Sequence, residues 1–281
     1  MLSDFRQAIR ALLRQPVPTF TAVITLALGI GANTAIFGVV YSVLLRPLPY
    51  PEADRSVLAF ATRDGGRMTA SPPDFVDWRR EISGFEALAA FNDTSFAVSG
   101  AGGAAEQVPG AAVTSDFLAA LGVSPALGRG LAPDDDLPGR PKAAWLGHGL
   151  WQRRFGGDPA IVGRSVRIDG ESVEVRGVMP EGFSFPDGSE LWISLAFGRD
   201  ELETQRGAHY LQVVGRLRPE REVASVDAEL RGLAERLARE HPGTNAGYAA
   251  TVVPLRDALV GDVRAPLLVL LGAVGLVLLI A

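Results

Sequence analysis

The hydrophobic residues of this chain are concentrated in two long runs near its ends, with a more polar stretch between them. The first run, Thr19–Leu45, contains no charged residue and lies between Arg14 and Arg46. As a helix with a rise of about 1.5 Å per residue it would reach roughly 40 Å, which exceeds the ~30 Å hydrocarbon core of a bilayer. We therefore predict a transmembrane helix over residues 18–46.

The second apolar run ends the sequence. Residues Ala265–Ala281 carry no charge, but they are fewer than the roughly 20 apolar residues that a spanning helix needs. We predict that residues 263–281 begin a second transmembrane helix, and we expect that helix to continue beyond the given sequence. Residues 47–262 would then form a domain inserted between two transmembrane helices that stand side by side.

Residues 1–17 show the pattern of an amphipathic helix. Their apolar residues recur at helical spacing, while Arg6, Arg10 and Arg14 fall on other faces. Such a helix either lies at the membrane interface, with its basic side toward lipid headgroups, or packs on a partner protein. The same arginines, opposed only by Asp4, satisfy the positive-inside bias. This predicts a cytoplasmic N-terminus and places residues 47–262 in the periplasm or another extracytoplasmic space.

A cleaved signal peptide is the competing interpretation of this end of the chain. Its apolar region would span only about 7–15 residues and would end in a small-x-small cleavage site. Here the run is longer and ends in Val43-Leu44-Leu45 before Arg46-Pro47. The pattern therefore favours a retained helix.

Within the first run, Ala27, Gly31 and Ala35 recur at intervals of four residues. Small residues in such a stripe allow two helix backbones to approach closely in lipid. Asn33 and Thr34 would lie near the middle of the membrane, where an unpaired amide is costly. We therefore predict that Ala27, Gly31, Asn33 and Ala35 pack against another helix; the alternative for Asn33 is a hydrogen bond within its own helical turn.

The middle of the chain mixes strand and helix patterns without a strict alternation, which is typical of an α+β fold, here of two subdomains. The strongest hairpin signal is Asp169-Gly170, between predicted strands over Ser165–Ile168 and Ser172–Val178. Further strands are predicted over Ser56–Thr62, Thr94–Val98, Gln107–Val113, Ala143–Leu146, Leu191–Leu195, His209–Leu217 and Tyr248–Pro254.

Helices in the middle are predicted from caps and from hydrophobic spacing. Ser71, followed by two prolines, is a typical start, and Val223–Arg239 shows the clearest amphipathic pattern. Other predicted helices are Ser83–Ala90, a capped helix over Thr114–Leu121 stopped by Gly122, and His148–Phe155. Four tryptophans, Trp78, Trp145, Trp151 and Trp192, lie in apolar patterns and are predicted to pack in the core.

Charge and composition narrow the function. The formal net charge is −5, and the arginine-rich start makes the remainder more acidic still, which argues against nucleic acid as a partner. The chain contains no cysteine, so thiol catalysis and cysteine-based metal sites are excluded. There is no phosphate-binding loop of the G-x-x-x-x-G-K-[ST] type, so nucleotide binding by that device is excluded as well.

Candidate catalytic residues are few. His148, His209 and His241 are the only histidines, and none belongs to a metalloprotease motif. The acidic cluster Asp134-Asp135-Asp136 lacks the spacing of a calcium loop, and we interpret it as a solvated loop. We therefore predict no catalytic, metal or cofactor site, and expect that the chain is not an enzyme.

Several stretches resemble one known family. They are FRQAIRALLRQP, TLALGIGANTAIFGVVYSVLLRPLPYP, DFVDWRREISGFEALAAF, FLAALGVSPALGRGL, LWQRRFGGDPAIVGRSVRIDG, VRGVMPEGFSFP and LLGAVGLVLLIA, in this order. Together they resemble the MacB/FtsX-type ABC transporter permeases, in particular the group known as duplicated orphan permeases. The resemblance implies a MacB-like periplasmic core domain between the first two transmembrane helices of the inner membrane. It also implies an ABC ATPase partner and no catalytic residues in the permease itself.

From these observations we expect a permease subunit that couples motion of a cytoplasmic ATPase to a periplasmic domain, with efflux as one form of that activity. The expected partners are the ATPase, membrane lipid, and further permease helices or a second protomer. The alternative is a membrane-tethered extracytoplasmic binding or sensor domain without a transport role. A membrane-anchored hydrolase is a third class, and the sequence offers no carboxylate or histidine pair for it.

Overall fold

The computed structural model describes residues 15–41, 50–100 and 103–280. The predicted amphipathic helix over residues 1–17 therefore lies almost entirely outside the described residues, as does the end of the first apolar run. The chain divides into two compact units, which we describe separately. Unit 1 comprises Met1–Leu48 and Leu259–Ala281, and unit 2 comprises Pro49–Ala258.

Unit 1 contains the apolar helices. Helix α1, Pro16–Val40, begins at a proline in its first turn and carries no charged residue. Among the described residues it is the one helix that is, by itself, long and apolar enough to cross a membrane. The last helix, α8, Leu255–Ile280, contains Pro266 and bends by 61° between Leu255–Gly261 and Ala265–Leu276. A proline inside a helix removes a hydrogen bond and clashes with the preceding turn, which accounts for the bend.

Unit 2 has a mixed α+β fold, as predicted. Its strands are β1 Ser56–Arg63, β2 Gly66–Met68, β3 Phe85–Gly100, β4 Gly103–Val113, β5 Leu127–Gly128, β6 Ala143–Leu146, β7 Ser165–Ile168, β8 Glu171–Val178, β9 Leu191–Ser194, β10 Gln212–Leu217 and β11 Tyr248–Pro254. Its helices are α2 Pro72–Glu81, α3 Phe117–Leu121, α4 His148–Phe155, α5 Arg199–Thr204, α6 Val223–Glu240 and α7 Pro242–Asn245. Single 3₁₀ turns lie at Ala53–Arg55, Pro133–Asp136 and Pro159–Ile161.

The eleven strands found in the described residues form one continuous sheet. Its order is β11-β1-β10-β3-β4-β9-β6-β8-β5, with β2 paired to β1, and β7 paired to both β3 and β8. Most neighbours are antiparallel, whereas β4–β9 and β6–β8 are parallel. The long strand β3 pairs with β10 along Phe85–Phe91 and with β4 along Phe91–Gly100. Phe91 is therefore the position at which β3 changes its main neighbour.

In the described residues we distinguish two hydrophobic cores on this sheet. The first core packs α2 and α6 on β11, β1, β10 and the first half of β3, with Trp78, Leu230 and Leu237 buried in it. The second core packs α4 on β6–β9 and the second half of β3, with Leu150 and Ile193 buried. Both cores belong to the same compact unit, because strand β3 contributes its first half to one core and its second half to the other.

Most of the predicted elements are present. The hairpin turn at Asp169-Gly170 connects β7 and β8, with Gly170 at φ +80°. The Ser71 hydroxyl accepts a hydrogen bond from the Asp74 amide at 3.3 Å and caps α2. Trp78, Trp145 and Trp192 are buried, as predicted, and Trp151 is half-buried.

Two predicted helices need correction. The sequence pattern predicts a helix over Ser83–Ala90, but Phe85 begins strand β3. Leu88 and Ala90 face the first core, while α3 covers the opposite side of the strand, so both faces are apolar and no alternation is visible in the sequence. The second correction concerns the predicted helix over Thr114–Leu121, which Thr114 does not cap.

Instead of capping α3, the Thr114 hydroxyl accepts a hydrogen bond from the Ala90 amide at 3.0 Å, across from β3. Helix α3 begins only at Phe117. The predicted stop at Gly122 is correct, since Gly122 adopts φ +68°.

Candidate functional site

The predicted packing face of α1 is uncovered in the described part of the chain. Ala27, Gly31 and Ala35 are exposed, and Asn33 is half-buried. A Cβ atom added at Gly31 would have no neighbour within 4 Å. The small residues therefore form an open surface of the shape that a second helix could occupy.

The polar groups of α1 differ in how they are satisfied. The Thr34 hydroxyl donates to the Ile30 carbonyl at 2.8 Å, so it needs no partner on another helix. The Asn33 amide lines a shallow groove with Ile30, Thr34 and Phe37. It makes no hydrogen bond with any residue that the structure describes. Asn33 is therefore the polar side chain of the predicted set, and it has no hydrogen-bond partner among the described residues.

Both connections from unit 2 to the apolar helices leave at the same end of the domain. Strand β1 begins at Ser56 and β11 ends at Pro254, and the two strands are antiparallel neighbours. Val57 pairs with Pro254 directly. The next residue, Leu255, is completely buried. The first and last segments of the domain are thus fixed side by side by backbone pairing.

A charged cluster fixes the segment that enters β1. We call Pro51, Glu52, Arg55, Glu86 and Arg216 the root cluster. The Arg216 side chain, of which 8% is exposed, donates to the Glu52 carboxylate at 2.5 Å and to the Pro51 carbonyl at 3.2 Å. Arg55 pairs with Glu52 and with Glu86. The entering segment is therefore tied to β10 and to the start of β3.

The electrostatics of the root cluster follow from these contacts. Hydrogen bonds from Arg55 and Arg216 lower the pKa of Glu52 from its ordinary value of 4.5. The Arg55 guanidinium also donates to the Leu217 carbonyl at 2.7 Å and 2.9 Å, at the end of β10. Sequence reasoning missed this cluster because Glu52 and Arg216 are 164 residues apart, and nothing local marks them as partners.

An aromatic cluster lies next to the root cluster, at the point where β3 changes neighbours. Phe91 contacts Phe117 and Phe185, with ring centroids 5.5 Å and 5.4 Å apart. Tyr50, immediately before the root cluster, contacts Phe183 and Phe185 at 6.2 Å each. Burial, together with the nearby Asp187 carboxylate, raises the pKa of Tyr50 to about 12. The entering segment therefore also contacts the junction of the two cores.

The family of the domain is decided by comparison with known families. The family model of the MacB-like periplasmic core domain matches residues 19–233, which include most of α1 and the sheet up to β10. The chain belongs to the MacB-like periplasmic core domain family. Comparison with curated protein sequences gave no match.

Solved structures share the fold of the MacB-like domain at low sequence identity. The first is a domain of a protein described as a permease from Porphyromonas gingivalis, with a TM-score of 0.52 and 17% identity, covering 74% of this chain and 93% of that one. The periplasmic region of MacB from Actinobacillus actinomycetemcomitans gives a TM-score of 0.52 and 12% identity, covering 75% of this chain and 94% of that one. The extracellular domain of the noncanonic ABC-type transporter YknZ from Gram-positive bacteria gives 0.50 and 17%, covering 70% and 99%.

The acidic cluster of this MacB-like domain is not the solvated loop that we expected. Only Asp134 is exposed. Asp136 accepts hydrogen bonds from the Ser115 amide at 2.7 Å and the Ser115 hydroxyl at 2.8 Å, and Asp135 pairs with Arg176 at 3.3 Å. Two of the three carboxylates therefore fix the long loop after β5 to the rest of the domain.

Two of the three histidines, His148 and His209, are engaged in packing. His209 stacks on Tyr248 with ring centroids 4.7 Å apart, and its Nδ1 atom lies 2.9 Å from the Thr69 carbonyl. His148 contacts Trp151. The described residues contain no group of three or more His, Cys, Asp or Glu side chains that could hold a metal ion. The root cluster and the face of α1 are accordingly the candidate functional sites.

Proposed function

We propose that this protein is a permease subunit of an ABC-type transporter or mechanotransmission complex. Residues 18–46 and 263–281 would lie in the bacterial inner membrane, residues 47–262 in the periplasm, and the N-terminus in the cytoplasm. ATP would be hydrolysed by a separate ATPase subunit, whose motion reaches the MacB-like domain through the two membrane helices. Efflux of a substrate is one outcome that such motion would serve.

The main support for this proposal is that the first and last strands of unit 2 are hydrogen-bonded neighbours. A domain inserted between two membrane helices must return its chain to the place where it left. The pairing of Val57 with Pro254 is the arrangement that this requires. The family match and the apolar helix α1 support the same organisation.

The root cluster suggests how motion would enter the domain. A displacement of the entering segment acts directly on Arg216 in β10 through Glu52 and the Pro51 carbonyl. It also acts on the aromatic cluster through Tyr50. Because hydrogen-bonded strands transmit displacement with little deformation, we infer that the sheet moves with the first helix rather than independently of it.

The open face of α1 suits assembly with other membrane helices. Ala27, Gly31 and Ala35 would permit close approach of a partner helix, and Asn33 would form a hydrogen bond across the contact. The partner would be another permease helix or a second protomer.

Topology is tested by cysteine labelling, which is simple because the chain contains no cysteine. Asp134 is a suitable site, with 71% of its side chain exposed. In spheroplasts, Asp134→Cys should react with an impermeant maleimide, whereas Gln7→Cys should react only after lysis. Protection of Asp134→Cys before lysis would contradict the periplasmic assignment.

The transporter role is tested by purifying the full-length protein from its native membrane and assaying the sample for a co-purified ABC ATPase subunit. We expect a stable complex whose ATP hydrolysis changes when Arg216 is replaced by Met. Failure to find any ATPase subunit, with the topology intact, would favour the tethered binding or sensor domain instead.

A further inference from the structure

A cleft lies in the second half of unit 2, away from the root cluster. It has a volume of about 460 Å³ and is bounded by the end of α4, the turn Pro159–Ile161 and strand β7. This volume falls within the range of about 300–1,000 Å³ that small-molecule sites occupy. The cleft is concave, in contrast to the flatter surfaces typical of protein interfaces.

The walls of the cleft carry three arginines. Arg154 is mostly buried, and its guanidinium is fixed by the Ala104 carbonyl at 2.9 Å and by Glu106 at 3.3 Å. Arg164 and Arg167 are exposed. Two of the three guanidinium groups therefore stand in the cleft mouth, where a ligand can reach them.

The exposed arginines are poorly neutralised. Arg164 lies 3.8 Å from the Asp158 carboxylate, which is too far for a hydrogen bond. The other oxygen of Asp158 accepts a hydrogen bond from the Ala160 amide at 2.9 Å, so that carboxylate is partly committed to the turn. Arg167 forms no ion pair with any described residue. The cleft is thus positively charged within an acidic protein.

The floor of the cleft is apolar. Phe155 and Val166 are half-buried and pack against the second core, and Ile161 is buried in it. A ligand that fills the cleft would cover these side chains while its charged end meets the guanidinium groups. Guanidinium groups bind planar or tetrahedral oxyanions through paired hydrogen bonds.

We propose that this cleft binds a small organic anion, namely a phosphate, sulfonate or carboxylate attached to an apolar group. The size of the cleft, about 460 Å³, suits a small anion with a compact apolar group rather than a diacyl lipid. The site does not depend on the proposed transport role, since binding is measured without an ATPase.

The experiment is isothermal titration calorimetry of the 281-residue chain in discs of zwitterionic lipid, with empty discs as the blank. The probe is 1-naphthyl phosphate, compared with 1-naphthol for the apolar part and with inorganic phosphate for the charge. We expect saturable binding of 1-naphthyl phosphate and weaker binding of either part alone.

The variants Arg164→Gln and Arg167→Gln should each raise the Kd of 1-naphthyl phosphate by about fivefold, which is the effect of losing one exposed charge contact. Arg199→Gln is the matched control, because Arg199 is 90% exposed and lies on α5, outside the cleft. All three positions are exposed, so folding should be preserved, and circular dichroism checks it.

Three results would overturn the proposal. One is the absence of saturable binding above the blank, and another is equal affinity in the two cleft variants and the Arg199→Gln control. The third is binding of 1-naphthol as tight as that of 1-naphthyl phosphate. If hexaglutamate peptide binds with the expected dependence on Arg164 and Arg167 and 1-naphthyl phosphate does not, the cleft belongs to a protein partner, which also contradicts a small-molecule site.

Discussion

Replacing Gly122 with alanine tests whether the root cluster depends on close packing at the end of α3. Gly122 adopts φ +68°, and an added Cβ atom would lie 2.4 Å from a guanidinium nitrogen of Arg216 and 3.2 Å from the Pro51 carbonyl oxygen. The guanidinium is the flexible end of its side chain and can rotate away. It can do so only by giving up its hydrogen bonds to the entering segment.

The expected cost has two parts. The left-handed backbone conformation costs a non-glycine residue about 1 kcal/mol. Losing the hydrogen bond from Arg216 to the Pro51 carbonyl costs about 1 kcal/mol more, and the pair with the exposed Glu52 carboxylate should add little. Gly122→Ala should therefore lower the free energy of unfolding by about 2 kcal/mol. Gly65→Ala is the matched control, because Gly65 has φ +78° and no atom within 4 Å of the added Cβ.

The assay is urea unfolding of the purified chain in detergent, followed by the fluorescence of its buried tryptophans and analysed by linear extrapolation. Gly65→Ala should cost about 1 kcal/mol, the backbone part alone. In an Arg216→Met background, Gly122→Ala should also cost only about 1 kcal/mol, because the side chain it displaces is gone. Equal costs for Gly122→Ala and Gly65→Ala, or an unchanged cost in the Arg216→Met background, would refute the reasoning.

Other substitutions test separate parts of the structure. Asp136→Ala should lower the free energy of unfolding by about 2 kcal/mol, because it leaves the partly buried Ser115 amide without its acceptor. Asp134→Ala, at an exposed site, should change the free energy of unfolding by less than about 0.5 kcal/mol. Equal effects of the two substitutions would contradict the role of Asp136 in fixing the loop. Hydrogen bonds from neighbouring arginines lower the pKa of Glu106 from 4.5, so its stabilisation is complete above that pH and is lost as the pH falls through the lower folded-state pKa. The difference in urea midpoint between Glu106→Gln and the parent protein should therefore shrink as the pH is lowered from 7 to 3, and a constant difference would argue against it. Gly31→Leu should reduce the yield of the assembled membrane complex, because it fills the small-residue stripe. Leu26→Phe is the control, since it also adds bulk at an exposed position of α1. Leu26 lies five residues before Gly31 and so about 140° around the helix, and its substitution should leave the yield unchanged. Equal losses of yield for the two substitutions would contradict the predicted packing face.

The sequence was most informative where a local pattern had one physical cause. The amphipathic spacing of α6 predicts its buried side, because Val226, Leu230 and Leu237 recur on one face and all three enter the first core. The Asp169-Gly170 turn predicts a hairpin, because both of its residues adopt positive φ angles. Such elements are determined by a few adjacent residues.

The errors arose where distant parts of the chain decide the outcome. The first half of β3 is apolar on both faces because α3 returns to cover it, so its strand character was hidden. Asp135 and Asp136 resemble a solvated loop until Arg176 and Ser115 are brought to them. The root cluster and the arginine cleft have the same origin, since neither can be recognised before the sheet order is known.

The position of Phe91 suggests why the domain needs two cores on a single strand. Before Phe91, β3 pairs with β10, which carries Arg216 and thus the root cluster. After Phe91, the same strand pairs with β4 and then β7, which forms a wall of the arginine cleft. Tyr50 contacts the aromatic cluster at this junction, so a displacement entering from the first membrane helix would act where the two halves meet. If the proposed coupling is correct, the continuous sheet carries the displacement past this junction to the second core, and substitutions at Phe91 should affect coupling more than equally destabilising substitutions inside either core.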